Sequence, residues 1–523
     1  MLTFGLQTSD LLGLLRIMTL CLLAPITGLF IVRQPIIAWG LIGLLTAIAL
    51  IECSAIYWAA GAVAAATLSR VAVAAGAPHF LNFVHFPLVV GAFTVALLKP
   101  PSLPIANAVK KCIWIFLAAN VVSWLVNGGE LLRPTLNWLV IMEPFLLLYV
   151  LLATPTTARA ASLLRKLLLG ICFLQVPLGM YQRVFVSGGN PDLVQGTFIG
   201  SGTGAHVSGA VAMLGVTALI CLGAASKGSS FRMVYFVGAI PLFGLAVLAD
   251  AQQAVVAFIP GLFFGILKFT KTRPTAIIIP VIFIGATLYT AFHFYKPLQK
   301  VGEQKLVSGG FQGKMFGFLT ILSAMGETPT GWLIGLGPGN TVSRVALMTP
   351  DAELDATSSI ATLGLKTAPL TRKLLYATSG NWLWRSSSAW SPACSWFGLI
   401  GDLGLIGTAV YLWMFRVTWK AAARQGGWLG PSATGTLIAM ALLGGVYSWL
   451  EEPGFTLMVA LLAGLAILPQ QLITQGLTVL RPTPSTRQQQ PSFARSFSSE
   501  PFARAVERTR SSARKSKFYG LDP

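Results

Sequence analysis

The chain has 523 residues, of which 54% are hydrophobic and only 10% are charged. An average soluble domain has about 25% charged residues, so the composition excludes a soluble protein whose surface is covered by charge. A count of 37 Lys and Arg against 17 Asp and Glu gives a net charge of +20. In a soluble protein this excess would suggest nucleic acid binding. Here the basic residues lie between apolar runs and in a C-terminal tail, so we interpret them as topology signals and expect no nucleic acid partner.

Long apolar runs predict a polytopic bundle of transmembrane helices. Crossing the hydrocarbon layer takes about 20 mostly apolar residues. The predicted helices lie near 11–32, 35–52, 54–77, 80–98, 112–127, 136–153, 163–180, 206–225, 232–249, 252–268, 275–293, 396–415, 432–450 and 455–474. We therefore expect an all-α fold of 12–14 transmembrane helices over residues 1–474.

The distribution of basic residues predicts how the chain is oriented, because short connections rich in Lys and Arg stay in the cytoplasm. From residue 80 onward, every second connection is of this basic kind. The basic connections contain Lys99, Lys110 and Lys111; Arg159, Arg165 and Lys166; Lys227 and Arg232; Lys268, Lys271 and Arg273; and Arg416, Lys420 and Arg424. Both termini are then predicted to be cytoplasmic. The connections predicted to face outside are 128–135, 181–205, 250–251, 294–395 and 451–454.

The last segment, 475–523, differs in composition and is rich in Pro, Ser, Gln and basic residues. It lacks the apolar content needed to offset the cost of chain ordering, which predicts a disordered cytoplasmic tail. A solvated tail near anionic headgroups is favoured over a docking segment for a cytoplasmic partner. The six cysteines are scattered and predict neither a disulfide framework nor a metal site.

The first notable outer connection, 181–205, is rich in glycine and leads into a helix that begins at His206. Glycines let backbone N–H groups approach a ligand closely, and a helix N-terminus favours anions. A merely flexible loop remains the alternative interpretation.

The second, 294–395, is about a hundred residues long and contains an apolar, helix-like stretch from Met315 to Met325. Loops longer than about 15 residues are usually functional or disordered. Its nine basic residues outnumber its five acidic residues, against the topological bias. A phosphate-bearing or polyanionic ligand would explain this surplus.

Three short motifs occur in order along the chain. They are Gly196-Thr197-Phe198, Gly335-Leu336-Gly337-Pro338-Gly339-Asn340 and Gly401-Asp402-Leu403-Gly404-Leu405-Ile406-Gly407. Over about residues 110–475 this arrangement resembles the O-antigen ligase and O-antigen polymerase superfamily. The resemblance implies a multi-pass inner-membrane glycosyltransferase that acts on the periplasmic face. Its donor would be an undecaprenyl-diphosphate-linked glycan, and it would need no nucleotide sugar, cofactor or metal.

One departure from the family pattern favours the polymerase branch. Ligases usually carry a histidine just before the third motif, whereas this chain has Ser386-Ser387-Ser388-Ala389 there. The product would be O-antigen, exopolysaccharide or capsule. Implied partners are the lipid-linked glycan, membrane lipids, and a chain-length regulator or flippase. A ligase that transfers glycan to a lipid acceptor is the nearest alternative.

Arginine suits the leaving diphosphate because it stays charged and binds phosphate oxygens through two parallel N–H donors. We predict that Arg183, Arg344 and Arg385 are catalytic, with a surface or interfacial role as the alternative for each. The predicted substrate-binding residues are Gly196, Thr197, Lys366, Arg372 and Asp402.

Ionisable groups elsewhere supply candidates for a base. On the outer face these are Asp192, Asp402 and His206. Glu143 and Arg16 or Arg70 lie within apolar stretches, which indicates either function or a buried structural pair.

Two further classes of function stay open. A polysaccharide flippase or other transporter would carry broken helices near the midplane and internal repeats, and the sequence has no clear repeat. A non-catalytic scaffold for envelope assembly would use the 294–395 connection as a docking surface.

Overall fold

The structure is a computed structural model that describes residues 54–200, 203–226, 229–270, 304–348, 365–380 and 392–468, together with Gly285. The helices are α1 (Ala55–Ala74), α2 (His85–Leu97), α3 (Pro104–Asn127), α4 (Leu132–Ala153), α5 (Ala158–Phe185), α6 (Gly204–Ala225), α7 (Ser229–Leu248), α8 (Gln252–Thr270), α9 (Gln304–Glu327), α10 (Gly331–Ile334), α11 (Arg344–Met348), α12 (Pro369–Ser379), α13 (Ser395–Ala423), α14 (Leu429–Gly444) and α15 (Pro453–Ile467). Short 3₁₀ helices cover His79–Phe83, Pro191–Leu193 and Trp449–Glu451. These described ranges contain no β-strand, which confirms the all-α prediction.

The chain is a membrane protein by the length and composition of its helices. Six helices, α1, α3, α4, α5, α6 and α13, are long and apolar enough to cross a membrane, and five more apolar helices are shorter. These eleven correspond to eleven of the predicted spans. The other three, near 11–32, 35–52 and 275–293, lie outside the described residues except for Gly285, and the tail 475–523 lies outside them entirely.

Helices α4, α6 and α15 form the centre of the bundle. Within the most apolar stretch of each helix, 94% of the residues of α6 and 83% of those of α4 are buried, against 33% for α1, α3 and α5. Helix α15 is buried at every position from Gly454 to Ile467 and packs against both α4 and α6. Among the described helices, the less buried ones therefore lie around these three.

Small residues let α8 and α14 approach closely. A Cβ atom added to Gly261 would lie 2.2 Å from the Gly435 carbonyl oxygen, and one added to Gly435 would lie 2.4 Å from that of Gly261. Backbone-to-backbone packing of this kind favours helix association in lipid, where burial of apolar surface from water contributes little.

The connections that the structure describes lie at two ends of the bundle. At one end, the backbone N–H of Ser102 donates to the Ala153 carbonyl at 2.9 Å, and Trp428 packs against Cys221. At the other end, the 128–135 and 451–454 connections meet the described parts of 181–205 and 294–395. All three motifs lie there, so we call it the motif end.

The long 294–395 connection is largely helical where the structure describes it. The predicted helix-like stretch from Met315 to Met325 lies within α9. A second, smaller apolar cluster, which includes Ile321, Met325 and Leu374, holds α9 and α12 against the start of α13. The described parts of the connection therefore form a folded cap over the motif end.

Candidate functional site

The second and third motifs form one structural unit around the carboxylate of Asp402. This side chain is fully buried and accepts hydrogen bonds from the backbone N–H groups of Gly339 at 2.7 Å, Asn340 at 3.2 Å and Thr341 at 3.0 Å. The Thr341 hydroxyl donates a fourth at 2.6 Å. The carboxylate of Asp402, a predicted substrate-binding residue, is thus hydrogen-bonded to the second motif and to Thr341.

Two glycines allow this unit to pack backbone against backbone. Gly404 has φ +63° and interrupts the helical conformation of α13, and Gly335 has φ +78°. A Cβ atom on Gly404 would lie 2.5 Å from the Gly335 nitrogen, and one on Gly335 would lie 2.4 Å from the Asp402 carbonyl carbon. Positive φ and close approach together require glycine at both positions.

Helix α3 is hydrogen-bonded to both motifs of this unit. The Ser123 hydroxyl donates to the Asp402 carbonyl at 2.9 Å, and the Asn127 side chain donates to the Gly335 carbonyl at 3.2 Å. Three segments that are distant in sequence are thus fixed to one another.

The first motif is held by two glutamines of α5. Gln182 makes a reciprocal pair with Gly196, donating to its carbonyl at 2.9 Å and accepting from its N–H at 2.7 Å. Gln175 accepts from the Thr197 N–H at 3.0 Å. Because the backbone groups of Gly196 and the buried Thr197 side chain are engaged within the protein, these two predicted substrate-binding residues position the loop.

The remaining residue of this motif, Phe198, links it to the start of α15. Its side chain is 1% exposed, and a Cβ atom on Gly454 would lie 2.3 Å from its ring. The first motif therefore lies next to the connection that carries Glu451 and Glu452.

Arg344 is the centre of a buried charge cluster beside that connection. Its guanidinium is paired with the Glu452 carboxylate, and its backbone N–H donates to Glu451. Burial alone would lower the pKa of Arg344, but Glu452 outweighs that effect and raises it. Burial raises the pKa of Glu451 to about 8, although the N–H of Arg344 opposes the shift. At neutral pH Glu451 is thus largely neutral, and Arg344 is balanced by Glu452.

A small cavity opens beside this cluster. Arg344, Glu452, His206 and Tyr447 line it, and its volume of about 10 Å³ is that of roughly one water-sized probe. The Nδ1 atom of His206 is buried and makes no hydrogen bond within the described part of the chain. We call this the Arg344 cavity.

The connection that supplies the two glutamates is buried beside the start of α13. The backbone N–H of Ser395, the first residue of α13, donates to the Tyr447 carbonyl at 3.1 Å, and the Leu450 N–H donates to the Ser395 hydroxyl at 3.0 Å. Irregular backbone in a membrane bundle requires burial in protein, and Trp449, Leu450 and Glu451 are buried.

Further ionisable groups extend from the cluster into the bundle. Arg70 of α1 interacts electrostatically with Glu452 and Arg344. Glu143 of α4 also interacts with Glu452 and lies 2.6 Å from the Nδ1 atom of His85. The ionisable groups at Arg70 and Glu143 therefore belong to the surroundings of the site, and the hydrogen-bonded partner of Glu143 is a histidine.

A larger cavity, of about 230 Å³, lies at the same end between α3, α4 and the second motif. Trp124, Glu130, Arg133, Asn340 and Lys366 are among its lining residues. We call it the Arg133 cavity.

The predicted basic residues do not all meet at one point. Arg344 and Lys366 line different cavities. Arg183 donates to the Gly189 carbonyl of its own loop at 2.9 Å, and Arg372 is exposed on α12. Arg385 lies outside the described residues.

Part of the basic surplus in 294–395 is compensated internally. Lys314 donates to the carbonyl oxygens of Ala393 and Val446, and burial lowers its pKa to about 8. With Arg344 paired to Glu452, these two cations have protein partners.

Sequence reasoning missed Arg133, Glu451 and Glu452. Consecutive carboxylates between two apolar runs were a visible signal for the glutamates, since acids at the ends of short membrane helices are unusual. Arg133 lay in a predicted outer connection, but no sequence pattern linked it to the second motif. No group of three or more His, Cys, Asp or Glu that could hold a metal ion occurs in the described ranges.

No family model matches the chain, and no curated protein matches it significantly.

Proposed function

We propose that the protein is an inner-membrane glycosyltransferase that polymerises undecaprenyl-diphosphate-linked oligosaccharide repeat units on the periplasmic face. The observation that supports this most is the convergence of the three motifs on one end of a membrane bundle, next to a buried charge cluster around Arg344. The motif order is that of the superfamily that the sequence resembles.

The position of the cluster at the end of the membrane helices suits a lipid-linked substrate. A polyprenyl diphosphate keeps its chain in the hydrocarbon layer and its phosphates near the membrane surface. A buried polar site at the end of the helices can meet such a diphosphate without drawing it out of the bilayer, and the attached glycan can extend into the aqueous phase.

The reaction joins two repeat units. A hydroxyl oxygen of one glycan forms a bond to the anomeric carbon of the other, and the bond from that carbon to the diphosphate oxygen breaks. The lipid diphosphate leaves as an anion, and the hydroxyl proton passes to a base. His206 and Glu452 line the Arg344 cavity and are the proposed proton acceptors, while Arg344 stabilises the charge that develops on the diphosphate.

The test uses purified protein in vesicles that contain the lipid-linked repeat unit extracted from the host. We expect Arg344→Ala to lower the rate of chain elongation by about 100-fold or more, as for other donors aimed at developing charge. Arg344→Lys should retain part of the rate because it keeps the charge but loses the two parallel donors. Polymer length on gels reports the rate.

The matched control is Arg416→Ala, which removes an exposed arginine of α13 on the opposite end of the bundle. Size-exclusion chromatography checks that each variant is folded. Long polymers from well-folded Arg344→Ala protein would refute the proposal. Transfer of glycan to an acceptor other than the polyprenyl-linked unit would identify a ligase.

A further inference from the structure

The Arg133 cavity is distinct from the Arg344 cavity and shares none of its lining residues. Pro338 and Asn340 of the second motif line it. The aliphatic part of Arg133, another lining residue, packs over Gly339 of the same motif. A Cβ atom on Gly339 would lie 2.7 Å from the Arg133 Cγ atom, and this glycine has φ +75°. The glycines of the motif thus help to shape this cavity.

The charged groups of the cavity can bind the hydroxyl groups of a neutral polar ligand. Arg133 already donates to the Asn340 side-chain oxygen at 2.7 Å and to the Lys366 carbonyl. The other charged side chains of the cavity are the exposed Lys366 ammonium and Glu130 carboxylate. The ammonium can donate to a hydroxyl oxygen, and the carboxylate can accept from a hydroxyl group.

An aromatic ring, that of Trp124, lies beside these charged groups in the wall of the cavity. Trp124 lines the cavity, and its indole N–H donates to the Gly129 carbonyl at 3.1 Å, which fixes the ring. Flat aromatic surface together with a few placed polar groups is the usual composition of small-ligand sites, and the apolar face of a sugar ring stacks on such a surface. The volume of about 230 Å³ far exceeds what a single water needs.

We propose that the Arg133 cavity binds a sugar residue of the second, acceptor glycan, an inference that rests on the proposed function. The segment 338–344 joins the two cavities, with Pro338 and Asn340 on one and Arg344 on the other. A reaction between two glycans needs two such sites side by side. The Asp402 carboxylate fixes the segment between them.

The experiment places the photo-crosslinking residue p-benzoylphenylalanine at Lys366 in the full-length protein. Membranes of the host supply its own undecaprenyl-diphosphate-linked repeat unit as the probe. After irradiation, the denatured protein is stained for glycan. The control places the same residue at Tyr181, which is 58% exposed and lines neither cavity.

We expect a glycan adduct at position 366 and little at position 181. Trp124→Ala should lower the adduct yield at position 366 by about fivefold, from the loss of one aromatic contact. The adduct should persist with Arg344→Ala, because capture needs binding and no turnover. No adduct at 366, equal adducts at both positions, or an unchanged yield with Trp124→Ala would each overturn the inference.

These outcomes are separable from the proposed function. If Arg344→Ala still makes long polymers while position 366 captures glycan, the polymerase reaction fails and the glycan site stands. If Arg344→Ala stops elongation but position 366 captures nothing, the second site fails alone.

Discussion

The side chain of Asp402 shows how one residue organises the motif end. Its two carboxylate oxygens accept four hydrogen bonds from Gly339, Asn340 and Thr341. An ionised carboxylate only accepts hydrogen bonds, and the groups of the segment that face it are all donors. The neutral amide of asparagine has the same shape but cannot accept at both positions.

We therefore expect Asp402→Asn to destabilise the protein. The amide oxygen can keep the three hydrogen bonds of Oδ1, but the NH₂ group would face the Gly339 N–H and leave that buried donor without a partner. The free energy of unfolding should fall by about 1–3 kcal/mol. Thermal unfolding in detergent measures it.

The control for this substitution is Asp192→Asn, at an exposed carboxylate of the same end. It should unfold within a degree or two of the parent, since exposed substitutions usually change stability by less than about 0.5 kcal/mol. Equal unfolding temperatures for the two variants would mean that Asp402 does not hold the segment.

At the scale of elements, the interruption of α13 is set by packing. Gly404 leaves the helical conformation where the backbone at Leu333 and Gly335 crosses it, with a Cβ atom on Gly404 lying 2.5 Å from each. The break therefore lies against the cap formed by the long connection. A transporter would also use broken helices, but this one has a local packing cause.

Gly404→Ala should be strongly destabilising, because φ +63° and ψ −164° form a region almost confined to glycine. The strain and the contact with backbone atoms should cost about 1–3 kcal/mol or more. The fraction of monodisperse protein after heating, followed by size-exclusion chromatography, measures this.

Replacement of glycine by alanine should have the opposite effect on stability in α7. Gly244 is helical there, and a Cβ atom on it would meet nothing within 4 Å. Gly244→Ala should therefore stabilise the protein by up to about 1 kcal/mol. If both alanine variants raise or both lower the stability, the packing explanation for Gly404 is incorrect.

At the scale of the whole molecule, the two ends of the bundle differ in chemistry. The motif end carries both cavities and the buried charge cluster. The opposite end carries the described basic residues of the predicted cytoplasmic connections, among them Arg159 and Arg416. This difference is the basis for the proposed orientation, with the motif end in the periplasm and both termini in the cytoplasm.

Cysteine accessibility tests that orientation. Asp192→Cys places a thiol at the motif end, and Gly426→Cys places one at the opposite end, where an added Cβ atom meets nothing within 4 Å. A membrane-impermeant maleimide is added to cells in which only the outer membrane has been permeabilised. It should label position 192 and leave position 426 unlabelled. The parent protein, whose described cysteines are buried, gives the background.

Labelling of position 426 alone would invert the orientation and place the proposed site in the cytoplasm. Labelling of both positions from one side would contradict a bundle with two separate ends.

The sequence predicted the helices well because membrane spanning is a local property. Any run of apolar residues that is long enough must form a helix in lipid, since each backbone group needs a partner within its own segment. The eleven described apolar helices were all located in this way. Their ends were less accurate: α3 begins at Pro104, although its span was predicted from 112.

The amino-acid sequence by itself therefore determined the membrane character and the fold class, because composition and hydrophobic periodicity are written along the chain. Only the tertiary structure decided which polar groups meet. Asp402 proved to be a partner of the second motif, Glu452 a partner of Arg344, and Arg133 part of a cavity wall. Each of these contacts joins residues more than 50 positions apart, and their pairing depends on how helices pack, which no local pattern encodes.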